Sequence, residues 1–188
     1  MTSGDADKRP RCAWATATPD YLEYHDQEWG VPLHGDDALF ERLALEAFQS
    51  GLSWLTILRK RPAFRDAFAG FSIPAVADYD EQDRERLLAD AGIVRNGAKI
   101  DATIANARVA RDLDGSLDEL LWSFAPQDHR RPASLDQVPP TSPESVAMAK
   151  ELKRRGFRFV GPTTAYALMQ ATGMVDDHVV TCWRAQPG

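Results

Sequence analysis

An all-α fold is predicted for this 188-residue chain by two observations. No stretch alternates apolar and polar residues with a period of two for long enough to build a sheet, and residues that start and stop helices recur from one end to the other. A composition that is 44% hydrophobic supports one buried core. The expected organisation is therefore a single domain, 1–188, made of two interlocked helical lobes, with residues 1–10 a flexible tail.

The helices follow in order from their punctuation. Asp36 and Asp37 can cap a helix running to about Ser50, with Gly51 at its end, and Ser53 can cap the next, LSWLTIL. Pro62 and Pro74 read as first-turn prolines. Asp80 opens DEQDRERLLAD, which Gly92 closes, and another helix should span about Ala98 to Leu113. Ser116 and Glu119 have capping-box spacing before LLWSF. Residues 128–140, rich in Pro, Arg and Ser, form an ordered surface loop. Ser142-Pro143 begins ESVAMAKELKRR, terminated by Gly156; after GFRFVGP comes TTAYALMQATG, helical with Pro162 in its first turn.

Composition narrows the function classes. No apolar run reaches the roughly 18 residues of a membrane span, and the first residues lack the apolar core of a secretion signal, so the expectation is a soluble, cytoplasmic protein. Only Cys12 and Cys182 are present, near opposite ends; in a reducing compartment thiolate metal ligands are the better reading than a disulfide. A formal charge of −6 argues against a nonspecific nucleic-acid coat. It leaves room for a local positive face, because basic residues cluster at Arg59-Lys60-Arg61 and at Lys150, Lys153, Arg154, Arg155 and Arg158, although a solvated helix surface has the same pattern.

Two constellations carry chemistry. Each cysteine has a spaced histidine partner: Cys12 with His25, and His178 with Cys182 at i, i+4 on one helical turn. Two sulfurs and two imidazoles suit a tetrahedral zinc ion, and four protein ligands leave no open position, so the metal would be structural. The alternative for each histidine is a satisfied core residue; His34 and His129 are assigned to the surface. The second constellation is the glycine-bounded hairpin between the last two helices, which can aim backbone N–H groups and a helix N-terminus at a DNA phosphate without reading sequence. Such hairpins also serve as plain packing elements.

Val160-Gly161-Pro162-Thr163-Thr164-Ala165 is similar to the hairpin of the helix-hairpin-helix DNA glycosylases, which implies DNA contacts from Gly161, Pro162, Thr163 and Thr164. Bifunctional members place a nucleophilic lysine where this chain has Thr163, so the resemblance implies hydrolysis without a strand-cleaving lyase step. Iron–sulfur members need four cysteines, and this chain has two. A catalytic zinc deaminase needs H-x-E and a zinc protease H-E-x-x-H; neither is present.

Longer motifs are more specific. Y-H-D-x-E-W-G from Tyr24 to Gly30, E-x-x-Q-x-G-L-S-W from Glu46 to Trp54 and D-H-V-V-x-C from Asp177 to Cys182 closely resemble the DNA-3-methyladenine glycosylase I family over nearly the whole chain. That resemblance implies a monofunctional enzyme that removes 3-methyladenine from alkylated double-stranded DNA in base excision repair, acting as a monomer. It also implies one structural zinc on Cys12, His25, His178 and Cys182 that ties the termini together, and a base pocket of Tyr21, Tyr24, Glu46 and Trp54. Tyr21, Tyr24 and His25 fall at i, i+3 and i+4, so a helix beginning near Asp20 could carry pocket and metal residues on one face.

Glu46 lies among Leu39, Phe40, Leu43, Ala44, Leu45, Ala47 and Phe48, where a carboxylate needs a partner. Arg42 at i−4 is the ordinary one; a positively charged methylated adenine is the other. Val175-Asp176-Asp177-His178 resembles the V-D-x-H of the wider superfamily, which makes Asp176 a second candidate catalytic residue beside Glu46, although the 3-methyladenine family more often has Asn there. Asp177 is a candidate to support the zinc ligands. A noncatalytic DNA-binding module and a glycosylase for another alkylated base are the competing readings.

Overall fold

The computed structural model describes residues 8–185, and among them every regular element is helical. In order these are α1 (Pro19–Gln27), α2 (Asp36–Gln49), α3 (Trp54–Ala67), α4 (Ile73–Ala77), α5 (Glu81–Ala89), α6 (Gly97–Arg111), α7 (Leu117–Trp122), α8 (Pro143–Arg155) and α9 (Pro162–Ala171), with short 3-10 turns between some of them. No helix among the described residues is long and apolar enough to cross a membrane. Of the span expected to be a tail, residues 1–7 lie outside the described residues, and the Pro10 carbonyl accepts a hydrogen bond from the Trp183 N–H.

The central element is α2. Leu39, Phe40, Leu43, Leu45 and Phe48 are fully buried in it, and it packs on α3, α6, α7 and α9. A helix apolar on nearly every face belongs inside a protein, and each such side chain contributes about 1.5–3 kcal/mol on burial. This is why a carboxylate on α2 ends up in the interior.

Local chemistry sets most helix ends as expected. Asp80, Ser116 and Ser142 each form a capping box, Ser53 accepts from the Thr56 N–H, and Pro74 and Pro162 sit in first turns. Three expectations are corrected. Asp36 and Asp37 lie inside the first turn of α2 rather than capping it; their carboxylates accept from the distant Asp118 and Ile73 N–H groups, while Gly35 takes the capping position. Pro62 lies within α3, not at its start. The lost N–H bond and ring clash, worth about 3 kcal/mol, are offset by tertiary contacts on both sides, with Arg61 paired to Glu28 and Phe64 buried in the core. The segment His178–Cys182 is a turn, not a helix: the Cys182 N–H reaches only the Val179 carbonyl, and Val180 N–H is drawn to Pro132 O.

Candidate functional site: a metal-ligand group beside an aromatic cavity

Capped by Thr18, α1 begins with Pro19 and sends Tyr21 and Tyr24 toward one region and His25 toward another, rather than presenting all three to one site. His25 turns toward the chain ends. There Cys12, His25, His178 and Cys182 are all buried, and their ligand atoms lie within 4.8 Å of one another, a group that could hold a metal ion. The Cys182 sulfur is 3.4 Å from His25 Nε2 and 3.7 Å from His178 Nδ1, and Cys12 Sγ is also 3.7 Å from His178 Nδ1. The far ring nitrogens are occupied: His25 Nδ1 donates to Asp26 at 2.8 Å, and His178 Nε2 to the Trp29 carbonyl at 3.1 Å. Those partners fix the tautomers and leave the other lone pairs facing the sulfurs.

Burial pushes the Cys12 thiol up to about 12 and the His178 imidazole down to about 4. His25 is also lowered by burial, against the pull of Asp26. Burial thereby favours neutral imidazoles, the form that can ligate, whereas a metal held here would have to displace the thiol proton. The Asp177 carboxylate, expected to support this group, hydrogen-bonds instead to His129, Tyr166 and Gln170; Asp26 is the carboxylate on His25, braced by Arg11 at 2.7 Å. The tight surroundings also explain a glycine in the Y-H-D-x-E-W-G motif. Gly30 has φ +77°, and a Cβ there would meet His178 Nε2 at 3.0 Å.

On the other side of α1 is a cavity of about 520 Å³ lined by Trp14, Tyr21, Tyr24, Trp29, Glu46 and Trp54, among others. All four residues expected of a pocket line it. The Tyr24 and Trp54 rings meet at 5.6 Å, and the Tyr21 hydroxyl accepts from the Leu55 N–H at the start of α3. Glu46 is only 6% exposed, and among the described residues nothing donates to its carboxylate. Burial pushes its pKa up to about 8, only partly opposed by Arg42. Arg42 is committed elsewhere: with Arg61 it binds Glu28, and although burial alone would raise Glu28, these two guanidinium groups hold it at about 2. Only Nη2 of Arg42 makes that bond, however; Arg42 Nη1 and Trp54 Nε1 are both buried without an acceptor among the described residues.

Several lining residues are not distinguished in the sequence. Trp14 and Trp29 pack edge-on to each other at 5.1 Å and form the wall between cavity and metal group, Trp14 against His25 and Trp29 against His178. Trp29 and Gln49 lie inside the two long motifs, which is the one signal that could have singled them out. Leu135 and Val138 come from the loop 128–140 and Gln170 from α9. Asp176 is not in this lining. It pairs with Arg131 at 2.7 Å, accepts from the His178 N–H, and borders a separate depression with His129.

The hairpin between α8 and α9 presents Gly161, Pro162 and Thr163 at the surface. Asn106, buried in α6, clamps it by exchanging two hydrogen bonds with Arg158, and Phe159 at the tip has φ +58° and is 46% exposed. Lys150, Lys153 and Arg158 line a groove along it, whereas Arg154 and Arg155 pair with Glu151. The other basic run is consumed: Arg59 binds Asp20, Arg61 binds Glu28, and Lys60 donates to the Ala91 and Gly92 carbonyls.

Against known proteins, residues 14–185 match the methyladenine glycosylase family. The chain belongs to that family. DNA-3-methyladenine glycosylase 1 of Escherichia coli K12 is 44% identical over 177 residues, 92% of this chain and 95% of its own length. The DNA-3-methyladenine glycosylase of Haemophilus influenzae is 38% identical over 92% of this chain and 96% of its own. A crystal structure of a 3-methyladenine DNA glycosylase I, 44% identical, superposes with a TM-score of 0.88 over 93% of this chain and 98% of that one. The Staphylococcus aureus 3-methyladenine DNA glycosylase I, 34% identical, reaches 0.89 over 95% and 97%. Within the methyladenine glycosylase family, the long motifs read from the sequence are the segments that build cavity and metal group here.

Proposed function

We propose that this chain is a monofunctional DNA glycosylase that hydrolyses the N-glycosidic bond of 3-methyladenine in alkylated double-stranded DNA, a step of base excision repair. The observation that carries this reading is the Glu46 carboxylate, buried without a donor against an aromatic cavity. A flat cation bearing N–H groups supplies what that site lacks.

The damaged base leaves the stack at a cost of a few kcal/mol. Stacking against Tyr24 and Trp54 recovers about 1–3 kcal/mol per base, with added cation–π attraction. An empty site near pH 7 holds Glu46 largely protonated, given its pKa of about 8. The methylated purine's positive charge stabilises the carboxylate, so the site selects by charge, and neutral adenine gains nothing from it. When the C1′–N9 bond breaks, its electron pair neutralises the departing purine and water adds to C1′, losing a proton to solvent. The proposed hydrolysis draws on Glu46 and not on Asp176, which Arg131 engages outside the cavity. Thr163 supplies no amine, so no lyase step follows.

DNA is held, in this reading, by a helix-hairpin-helix. The first N–H groups of α9, at Thr163 and Thr164 after Gly161 and Pro162, face a phosphate, with Lys150, Lys153 and Arg158 alongside. The metal is zinc. Two thiolates and two imidazoles are a donor set suited to tetrahedral zinc, and the sulfur–nitrogen separations of 3.4 and 3.7 Å are compatible with these residues holding it. With four protein ligands it joins the N- and C-terminal segments and takes no part in the reaction.

The test is release of base from methylated DNA by zinc-loaded protein. Free 3-methyladenine with intact strands is the expected result; a folded, zinc-loaded protein that releases none would instead be a noncatalytic DNA-binding module.

A further inference from the structure

Tyr166 and Gln170, one turn apart on α9, converge on Asp177, a residue only 2% exposed in the loop that follows. The Tyr166 hydroxyl donates to Asp177 Oδ2 at 2.7 Å and Gln170 Nε2 donates to the same oxygen at 2.8 Å. The other oxygen, Oδ1, lies 2.9 Å from His129 Nε2. That nitrogen is also 3.1 Å from the Asp176 carbonyl. A carbonyl only accepts, so His129 Nε2 carries the hydrogen and Asp177 accepts there too. A carboxylate serving three donors has no hydrogen to return. The Gln170 amide must therefore turn its NH2 toward Asp177 and its carbonyl away, an orientation set by the donor and acceptor roles of its partners.

Gln170 lines the aromatic cavity, and among the described residues its Oε1 accepts nothing. We propose that Gln170 is a specificity-determining residue whose Oε1, held in place by Asp177, accepts an N–H of the methylated adenine's exocyclic amino group. This rests on the glycosylase reading above and deepens it. Glu46 and Gln170 then give the cavity two oxygen acceptors, matched to the two N–H donors of that amino group. A purine with an oxo group at C6 offers no hydrogen there and would set its own lone pairs against them. Selection by charge at Glu46 separates methylated from unmethylated bases; an oriented acceptor separates amino from oxo purines among the methylated ones. Asp177 is a positioning residue in this scheme.

The experiment titrates zinc-loaded protein with 3-methyladenine and with 3-methylhypoxanthine, which carries oxo where 3-methyladenine carries amino. Wild-type protein should prefer the amino base. Gln170→Met, close in length but without an acceptor, should cut that preference about five- to ten-fold, the scale of one hydrogen bond. Asp177→Asn should cut it similarly at unchanged metal content, because an asparagine can donate to Gln170 and let its amide turn over. Wild-type protein that binds 3-methyladenine beside a Gln170→Met variant with undiminished preference overturns the inference alone. Binding of neither base, with no release from methylated DNA, overturns the glycosylase reading along with it. A preference lowered in Gln170→Met but intact in Asp177→Asn overturns the role given to Asp177.

Discussion

The metal-ligand group and the aromatic cavity share α1, with His25 facing the first and its neighbour Tyr24 the second, yet they treat buried polar atoms differently. Around the metal ligands each outward-facing nitrogen has a partner, His25 with Asp26 and His178 with Trp29, and the inward-facing atoms point at one another. In the cavity the carboxylate of Glu46 has none. A permanent occupant lets a cluster close; a transient one requires groups left unsatisfied at a standing cost to stability. The contrast separates two kinds of site, a cluster whose polar atoms already face one another and a cavity with a carboxylate left without a donor.

The largest effect should come from opening the closed cluster. Cys182→Ser, or chelation of the metal, is expected to lower the melting temperature by about 10 °C or more, as several kcal/mol does for a chain of this size. The loss should extend to binding of the base, because Trp14 and Trp29 pack on His25 and His178 while lining the cavity. Thermal melts with metal analysis check this. A variant with unchanged melting and no metal in the wild type would remove the distinction between the two regions.

How legible each region is in the sequence follows the same contrast. The candidate metal ligands stand out because the chain has two cysteines, each with a histidine at a usable spacing. Capping by Asp80, Ser116 and Ser142 is legible because cap and capped N–H lie within three residues. Asp36 and Asp37 mislead because their partners, Asp118 and Ile73, are far along the chain. The cavity is harder still. Glu46 is marked by its apolar neighbours, but Leu135, Val138 and Gln170 meet it only after α9 and the loop 128–140 fold against α2. Nor does helical spacing reveal that Arg42 belongs to Glu28 rather than to Glu46.

A smaller effect, of opposite sign for stability and activity, is expected at the open site. Glu46 has its pKa raised by burial from 4.5 to about 8, so the folded protein binds this proton more tightly than the unfolded chain does. The stability associated with that proton is complete below about pH 4.5 and is lost as pH rises through 8. Glu46→Gln cannot ionise. It should melt with the wild type near pH 4 and above it at pH 9, by an amount on the order of a few kcal/mol. Its release of 3-methyladenine should fall by about two orders of magnitude, since a neutral amide no longer answers the base's charge. Melting curves at the two pH values and a base-release assay test both halves. A Gln variant less stable than wild type at pH 9 would mean that Glu46 is satisfied within the protein, as the metal group is.

The smallest effect should come from the partner that orients a ligand without being one. Asp26 accepts the His25 Nδ1 hydrogen at 2.8 Å while Arg11 grips its other oxygen, and it keeps a low pKa of about 2 although burial opposes this, because Arg11 and His25 donate to it. Asp26→Asn preserves shape and removes the charge that makes the imidazole a stronger base. Metal affinity should fall about 10- to 100-fold, with one metal still bound per chain at saturation and the cavity unchanged. Competition with a chelator of known affinity measures this, and base binding at saturating metal provides the control. Unchanged metal affinity would mean that the His25 ring is held by packing against Trp14 and Trp29 alone. The closed cluster would then owe its geometry to the same aromatic wall that shapes the open one.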